Sequence, residues 1–127
     1  MPDQPAVRVR FALPPRVLHP NGRTRNPRAR WAATKRWRTL VGQLARIAAL
    51  EQLGSVPGWR EADCQITITY GRRQQKQDDD NLIGWLKFAY DGIQDAGVIS
   101  NDRRLVHLPP VHRRGELAGI EIEIRGR

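Results

Sequence analysis

Long apolar runs are missing from this chain of 127 residues. No stretch reaches the roughly 18 consecutive apolar residues that a membrane-spanning helix needs. The start, with Asp3 and early prolines, has no signal-peptide core, so a cytoplasmic protein without a membrane partner is expected. Cysteine is almost absent too: Cys64 stands alone, which excludes an internal disulfide and leaves no partner for a cysteine zinc site. It falls in an apolar strand pattern and reads as a buried structural residue. Acidic residues are scarce, 13 against 22 Lys and Arg, for a formal net charge of +9. Such an excess favours a polyanionic partner through phosphate neutralisation and counterion release. Nucleic acid is the first candidate, although ribosomal proteins, repressors and nucleases all share this balance. The length suits one domain with one modest core.

Along the chain, Val7 to Leu13 alternates apolar and basic residues as a half-buried strand does, and Pro14 and Pro15 end it. Arg16 to Pro27 has loop composition and high positive charge, with Arg23 and Arg25 in it. From about Arg28 to Leu53, Trp37, Leu40, Val41, Leu44, Ile47 and Ala48 recur at three- and four-residue spacing, which predicts an amphipathic helix stopped by Gly54. Cys64 to Tyr70 is the clearest strand, alternating and rich in β-branched residues. A second helix is expected with Leu82, Leu86, Tyr90 and Ile93 on one face and an end at Gly97. Arg104 to Leu108 and Leu117 to Ile124 read as two further strands, the first broken or edged by Pro109 and Pro110. The expectation is a single α+β domain over residues 1–127, a mixed sheet packed with two main helices in the order β-α-β-α-β-β.

The acidic residues are unevenly placed. Six of the 13 fall between Asp78 and Asp102, while the first 38 residues carry ten basic side chains and only Asp3. The consecutive aspartates Asp78, Asp79 and Asp80 repel one another and a DNA backbone alike, unless a divalent cation neutralises them. Mg²⁺ suits such a site, being a hard cation that takes oxygen ligands and shares its shell with substrate phosphate. Carboxylate-held metal can activate water for phosphodiester hydrolysis, and Lys76 or Lys87 offers fixed positive charge to the transition state. Aspartates at a helix start also serve as N-caps and macrodipole partners, and one role does not exclude the other.

The string Asp78-Asp79-Asp80-Asn81-Leu82, then Lys87-Phe88-Ala89-Tyr90-Asp91-Gly92-Ile93, Ala96-Gly97-Val98-Ile99 and Asn101-Asp102, resembles the RusA family of Holliday junction resolvases. That family's pattern is Asp-x-Asp-Asn-Leu, a helical lysine a few residues on, an Asp-small-Leu/Ile step, Ala/Gly-Gly and a strand-side Asp. The resemblance implies a RusA-like fold and a homodimer that binds four-way DNA junctions and, with Mg²⁺, makes paired nicks. Carried over by position, it implies that Asp78, Asp80 and Asp102 bind metal and that Lys87 stabilises the transition state or positions the phosphate. Asp79 occupies the variable middle position and is left out of the metal's shell, and Asp91 is expected to make a helix-surface interaction.

One departure from the pattern concerns the lysine, which usually follows the second motif Asp by four residues and here follows Asp80 by seven. On a continuous helix the three extra residues displace Lys87 by roughly one turn, about 4.5 Å. A loop-out at Gly84 would restore it and is the expectation. Arg72, Arg73 and Lys76 precede the acidic cluster and Arg103 and Arg104 follow Asp102, so these cations, with Arg23 and Arg25, are expected to contact DNA phosphates. Trp37 is assigned to the core, while Trp85, in the apparent insertion, is read as exposed, at a dimer interface or in a DNA wedge, with no ranking among these. His19, His107 and His112 show no metal-ligand spacing and no proximity to the motif in sequence. Rival readings are a related nuclease that cuts flaps or other branched DNA, and a non-catalytic junction-binding protein.

Overall fold

A computed structural model describes residues 4–19 and 26–127, with Asp102 by its backbone alone. Arg23 and Arg25 lie outside the described residues. Eight principal elements follow in order: β1 (Ala6–Phe11), α1 (Pro27–Leu53), β2 (Ala62–Tyr70), α2 (Asp79–Trp85), α3 (Lys87–Asp95), β3 (Leu105–His107), β4 (Val111–Arg114) and β5 (Gly119–Gly126). Short 3-10 turns at Arg16–Leu18 and Asp102–Arg104 join them. No helix among the described residues is long and apolar enough to cross a membrane.

The sheet is mixed, in the order β1-β5-β2-β3 with β4 also on β2. Both β1 and β2 run antiparallel to β5, while β3 and β4 run parallel to β2. β3 pairs from Ala62↔Leu105 to Cys64↔His107, and β4 from Thr67↔Val111 to Tyr70↔Arg114. Together they form one edge strand with a gap. Pro109 and Pro110 cause the gap, because neither has an N–H to give to the ladder, and Gln65 spans it by donating from Nε2 to the Pro109 carbonyl at 3.3 Å. At the opposite edge, the Gln52 side chain of α1 accepts from Arg8 N at 2.8 Å and donates to Arg8 O at 3.0 Å. That amide occupies the backbone groups through which a foreign strand would add.

Alternation decides which face is buried. Val7, Val9 and Phe11, Cys64, Ile66 and Ile68, and Ile120, Ile122 and Ile124 all point to the helices and are buried. The other face carries cross-strand ion pairs in register, Arg8–Glu123 at 2.9 Å and Arg10–Glu121 at 2.6 Å. Cys64 is buried as its pattern predicted, and desolvation pushes its thiol pKa up to about 12. Trp37 joins Phe11 and Phe88 in an edge-on aromatic cluster, with ring centroids 5.9 to 6.3 Å apart.

Local chemistry sets the ends of α1. Asn26 caps it by accepting from Arg28 N and Ala29 N, Pro27 occupies its first turn, and Gly54 ends it in the left-handed region at φ 78°. Its buried residues are Ala33, Val41, Ala45, Ala48 and Ala49. Leu40 and Ile47, expected on the packed face, are 40% and 52% exposed. The reason is close packing: small side chains let α1 approach α3, so the larger ones turn outward.

Two further expectations are corrected. The second helix is two helices, since α2 ends at Trp85 and α3 begins at Lys87, with Leu86 between them at φ −94° and ψ 14°. Gly84 lies inside α2, so the extra residues are absorbed by a separate short helix rather than by a loop at Gly84. The strand β4 was not foreseen, because Val111-His112-Arg113-Arg114 lacks an apolar alternation.

Gly92 explains the small residue of the Asp-small-Ile step. A Cβ there would stand 2.5 Å from the Arg38 carbonyl oxygen and 3.0 Å from Gly42 N, both backbone atoms of α1. Gly92→Ala is therefore expected to destabilise the protein by about 1–3 kcal/mol through overpacking. Intrinsic helix propensity alone predicts a gain of about 1 kcal/mol, so the sign of the change in urea denaturation decides between them.

Glu123 supplies a pH prediction. The hydrogen bond from Arg125, reinforced by that from Arg8, holds its carboxyl below the usual carboxylate range despite partial burial. Its stabilisation is present above the ordinary glutamate value and is lost as pH falls through the lowered one. Glu123→Gln should flatten the acid limb of a stability-versus-pH curve, and an unchanged limb would remove Glu123 from it.

Candidate metal and nucleic-acid site

The acidic cluster lies where β2 hands over to α2. Burial leaves Tyr70 3% exposed at the end of β2, and the loop that follows is pinned from two directions. Arg114 of β4 donates Nη1 to the carbonyls of Gly71 at 3.1 Å and Gln74 at 2.9 Å. Farther on, Gln77 N–H donates to the Tyr70 hydroxyl at 2.9 Å and the Gln77 side chain meets His19 Nε2 at 2.7 Å. Asp78 then stands at the N-cap of α2, with Asp79 and Asp80 in its first turn, all three exposed.

These three carboxylates have different surroundings. Asp79 Oδ1 lies 2.6 Å from His112 Nε2, whose ring stacks on Tyr70 with Nδ1 2.8 Å from the phenol oxygen. With Gln77 N–H donating to the phenol oxygen, a ring that accepts the phenol proton at Nδ1 and donates Nε2–H to Asp79 satisfies every contact. Burial raises the Tyr70 pKa, with the Gln77 N–H pulling the other way, so the hydroxyl keeps the proton that this chain uses. Asp78 makes no side-chain capping bond, so the capping role read from sequence is not one its carboxylate performs.

A pattern emerges from the ion pairs. Asp63 meets Arg127, Asp91 meets Lys87, Asp95 meets Arg38, Glu61 meets Arg104 and Glu116 meets Arg72. Glu121 and Glu123 are paired across the sheet and Asp79 is held by His112. Among the described residues, the acidic side chains without a basic partner within 4.0 Å are Glu51, Asp78 and Asp80.

The other predicted site residues are distributed as follows. Arg72, Arg73 and Lys76 lie on the loop that ends at Asp78. Lys87 opens α3 and binds Asp91 one turn on at 3.0 Å, the surface interaction expected of Asp91. Seven-residue α2 intervenes, about 10 Å of helix between the first motif carboxylates and Lys87. Asp102, Arg103 and Arg104 form the turn into β3, which joins β2 at its Ala62 end, whereas His112 pairs with Ile68 toward the other end. Six residues of strand, about 20 Å, separate the two levels. The fold thus gathers Asp78, Asp79 and Asp80 with Arg72, Arg73 and Lys76, and sets the backbone of Asp102 toward the opposite end of the parallel ladder. Among the described residues no group of three or more His, Cys, Asp or Glu converges on a common metal position.

Histidine was the signal that sequence reasoning missed. His112 and His19 touch the motif through Asp79 and Gln77, across separations of 33 and 58 residues. Only the pairing of β4 with β2 brings His112 there. Trp85, read from the sequence as exposed, interfacial or a wedge, is instead buried at 7% exposure and packs against His19 with ring centroids 5.4 Å apart. No family model matches the chain, and no curated protein matches it.

Removing the phenol oxygen tests the relay from Gln77 to Asp79. Tyr70→Phe leaves the Gln77 N–H without its acceptor and His112 Nδ1 without its donor, and should cost about 1–3 kcal/mol in denaturant unfolding. Nitrogen-resolved spectra of the histidines should show the Nε2–H form of His112 in the parent and lose that preference in the variant. A cost within about 0.5 kcal/mol, the range of ordinary surface changes, would mean that the phenol links nothing.

Proposed function

We propose that this chain is a Mg²⁺-dependent endonuclease that hydrolyses phosphodiester bonds in branched DNA, four-way junctions foremost, as a homodimer of the RusA type. The observation that carries this reading is the pair of exposed carboxylates, Asp78 and Asp80, without basic partners in a protein of net charge +9 where seven other acidic side chains pair with Lys or Arg. Two unpaired negative charges two residues apart repel each other, and a ligand of opposite charge relieves that repulsion.

The donors fit Mg²⁺. Its sites commonly use one or two carboxylates and leave the remaining positions to water and substrate phosphate, and exposed oxygens at the start of α2 meet that requirement. Asp78 and Asp80 would hold the ion; Asp102, the further carboxylate that the family resemblance implies, has its backbone at the opposite end of the ladder and is left out of this shell. When bound, Mg²⁺ supplies the charge that activates water and stabilises the phosphoryl oxygens. Arg72, Arg73 and Lys76 enter beside these carboxylates and would steer the DNA backbone toward them, with Arg103 and Arg104 at the far end of the ladder. Lys87, on the first turn of α3, would add fixed charge to the transition state once DNA draws it from Asp91. Two sites related by a two-fold axis account for paired nicks, which is the argument for a homodimer.

The test is cleavage of a labelled synthetic four-way junction and a matched linear duplex, with and without Mg²⁺. Paired nicks confined to the junction are expected, with a loss of about 100-fold or more in Asp80→Asn. Equal cutting of flaps would shift the substrate to branched DNA in general, and binding without any cleavage would overturn the enzyme reading. A Lys87→Ala variant that cuts at the parent rate would remove that residue from the chemistry.

A further inference from the structure

A cleft of about 540 Å³ opens beside the acidic cluster. Its walls come from the chain after β1, the end of β2, the loop before Asp78 and the last residue of α2. Leu13, Pro14, Ile68 and Trp85 give it an apolar lining, and Tyr70 adds an aromatic edge. Arg16 and Arg73 contribute two exposed cations. Polar side chains, two arginines, His19 and three glutamines, make up slightly more than half of the lining, a mixture that suits a ligand with both a flat ring and an anionic group.

The polar groups of the cleft divide into committed and open ones. Gln74 Oε1 accepts from Gly71 N at 2.7 Å, and the Gln77 side chain is engaged with His19. Gln75, exposed, has no hydrogen-bond partner among the described residues. Trp85 Nε1 is buried and has no acceptor among the described residues. Being buried, that N–H is closed to a ligand in the cleft, so Trp85 offers its ring and Gln75 an open amide.

Position supplies the rest. Gln77, in the wall, directly precedes Asp78, and Tyr70, also in the wall, is joined through His112 to Asp79. A nucleotide whose base enters the cleft therefore carries its phosphates past the proposed metal ligands. We propose that this cleft receives one unpaired nucleobase of the bound DNA, held against its aromatic and apolar side chains, with Gln75 reading its polar edge and Arg16 and Arg73 meeting its flanking phosphates. Proteins that hold unstacked bases use the same combination of aromatic surface, amide groups and cationic rim. The inference rests on the reading that the chain binds branched DNA.

The experiment compares two four-way junctions that differ at one position of the exchange point, an unpaired thymine or an abasic residue. Binding is measured on the whole chain with Ca²⁺ replacing Mg²⁺, and cleavage is measured separately with Mg²⁺. The parent should bind the thymine junction about fivefold or more tightly than the abasic one. Gln75→Ala should reduce that ratio and leave abasic-junction affinity unchanged. Gln75 is exposed, so its variant should fold as the parent does. Equal affinity of the parent for both junctions, with Mg²⁺-dependent cleavage intact, would overturn the cleft assignment alone. Failure to bind either junction would overturn the branched-DNA reading and the cleft with it.

Discussion

Double-sided pairing of β2 is the constraint on which the molecule depends. Over nine residues β2 is antiparallel to β5 on one side and parallel to β3 and β4 on the other. A parallel neighbour cannot follow by a tight turn, so the chain must leave β2 at Tyr70, cross the sheet face and return. The crossing is α2 and α3. Asp78, Asp79 and Asp80 therefore start the crossing at the C-terminal end of two parallel strands, where β4 delivers His112 and Arg114 from the side. Open crevices at the carboxyl ends of parallel strands are favoured places for ligands, because loops there can vary without disturbing the ladder.

Electrostatics separates charges that are paired on the surface from charges that are not. Arg8, Arg10, Arg125 and Arg127 are spent on Glu123, Glu121 and Asp63 across the solvent face of the sheet. Arg38 grips Asp95 with two hydrogen bonds, 2.6 and 2.8 Å, which hold the carboxyl below its ordinary range. Surface pairs of this kind contribute little each. Their significance is by contrast: with so many cations available, the carboxylates of Asp78 and Asp80 are left without one, on the loop side where Arg73 and Lys76 also stand.

Legibility in the sequence followed the physics of each element. Strands β1, β2 and β5 alternate because one face is buried and one is wet, so period-two patterning located all three. The caps of α1 were legible at Gly54, whose positive φ only glycine adopts readily. Its packed face was not, because hydrophobic periodicity weights Leu40 and Ile47 above Ala45 and Ala49, whereas close contact with α3 selects the small residues. The strand β4 carries polar side chains and owes its place to β2, so nothing local marks it. The same holds for His112, whose value to Asp79 exists only after strands far apart in sequence have paired.

The motif itself resolves into parts with different physical jobs. Gly92 is a packing residue, since backbone atoms of α1 occupy the space of its missing side chain. Asp79, at the position the pattern leaves variable, is tied through His112 and Tyr70 to the end of β2. That tie fixes the first turn of α2 from its middle residue. Its neighbours on either side are carried on the backbone that it anchors, with their carboxylates unengaged. In this chain the residue between the two motif aspartates thus contributes anchorage, and on the proposed reading that lowers the ordering cost of a cation joining Asp78 and Asp80.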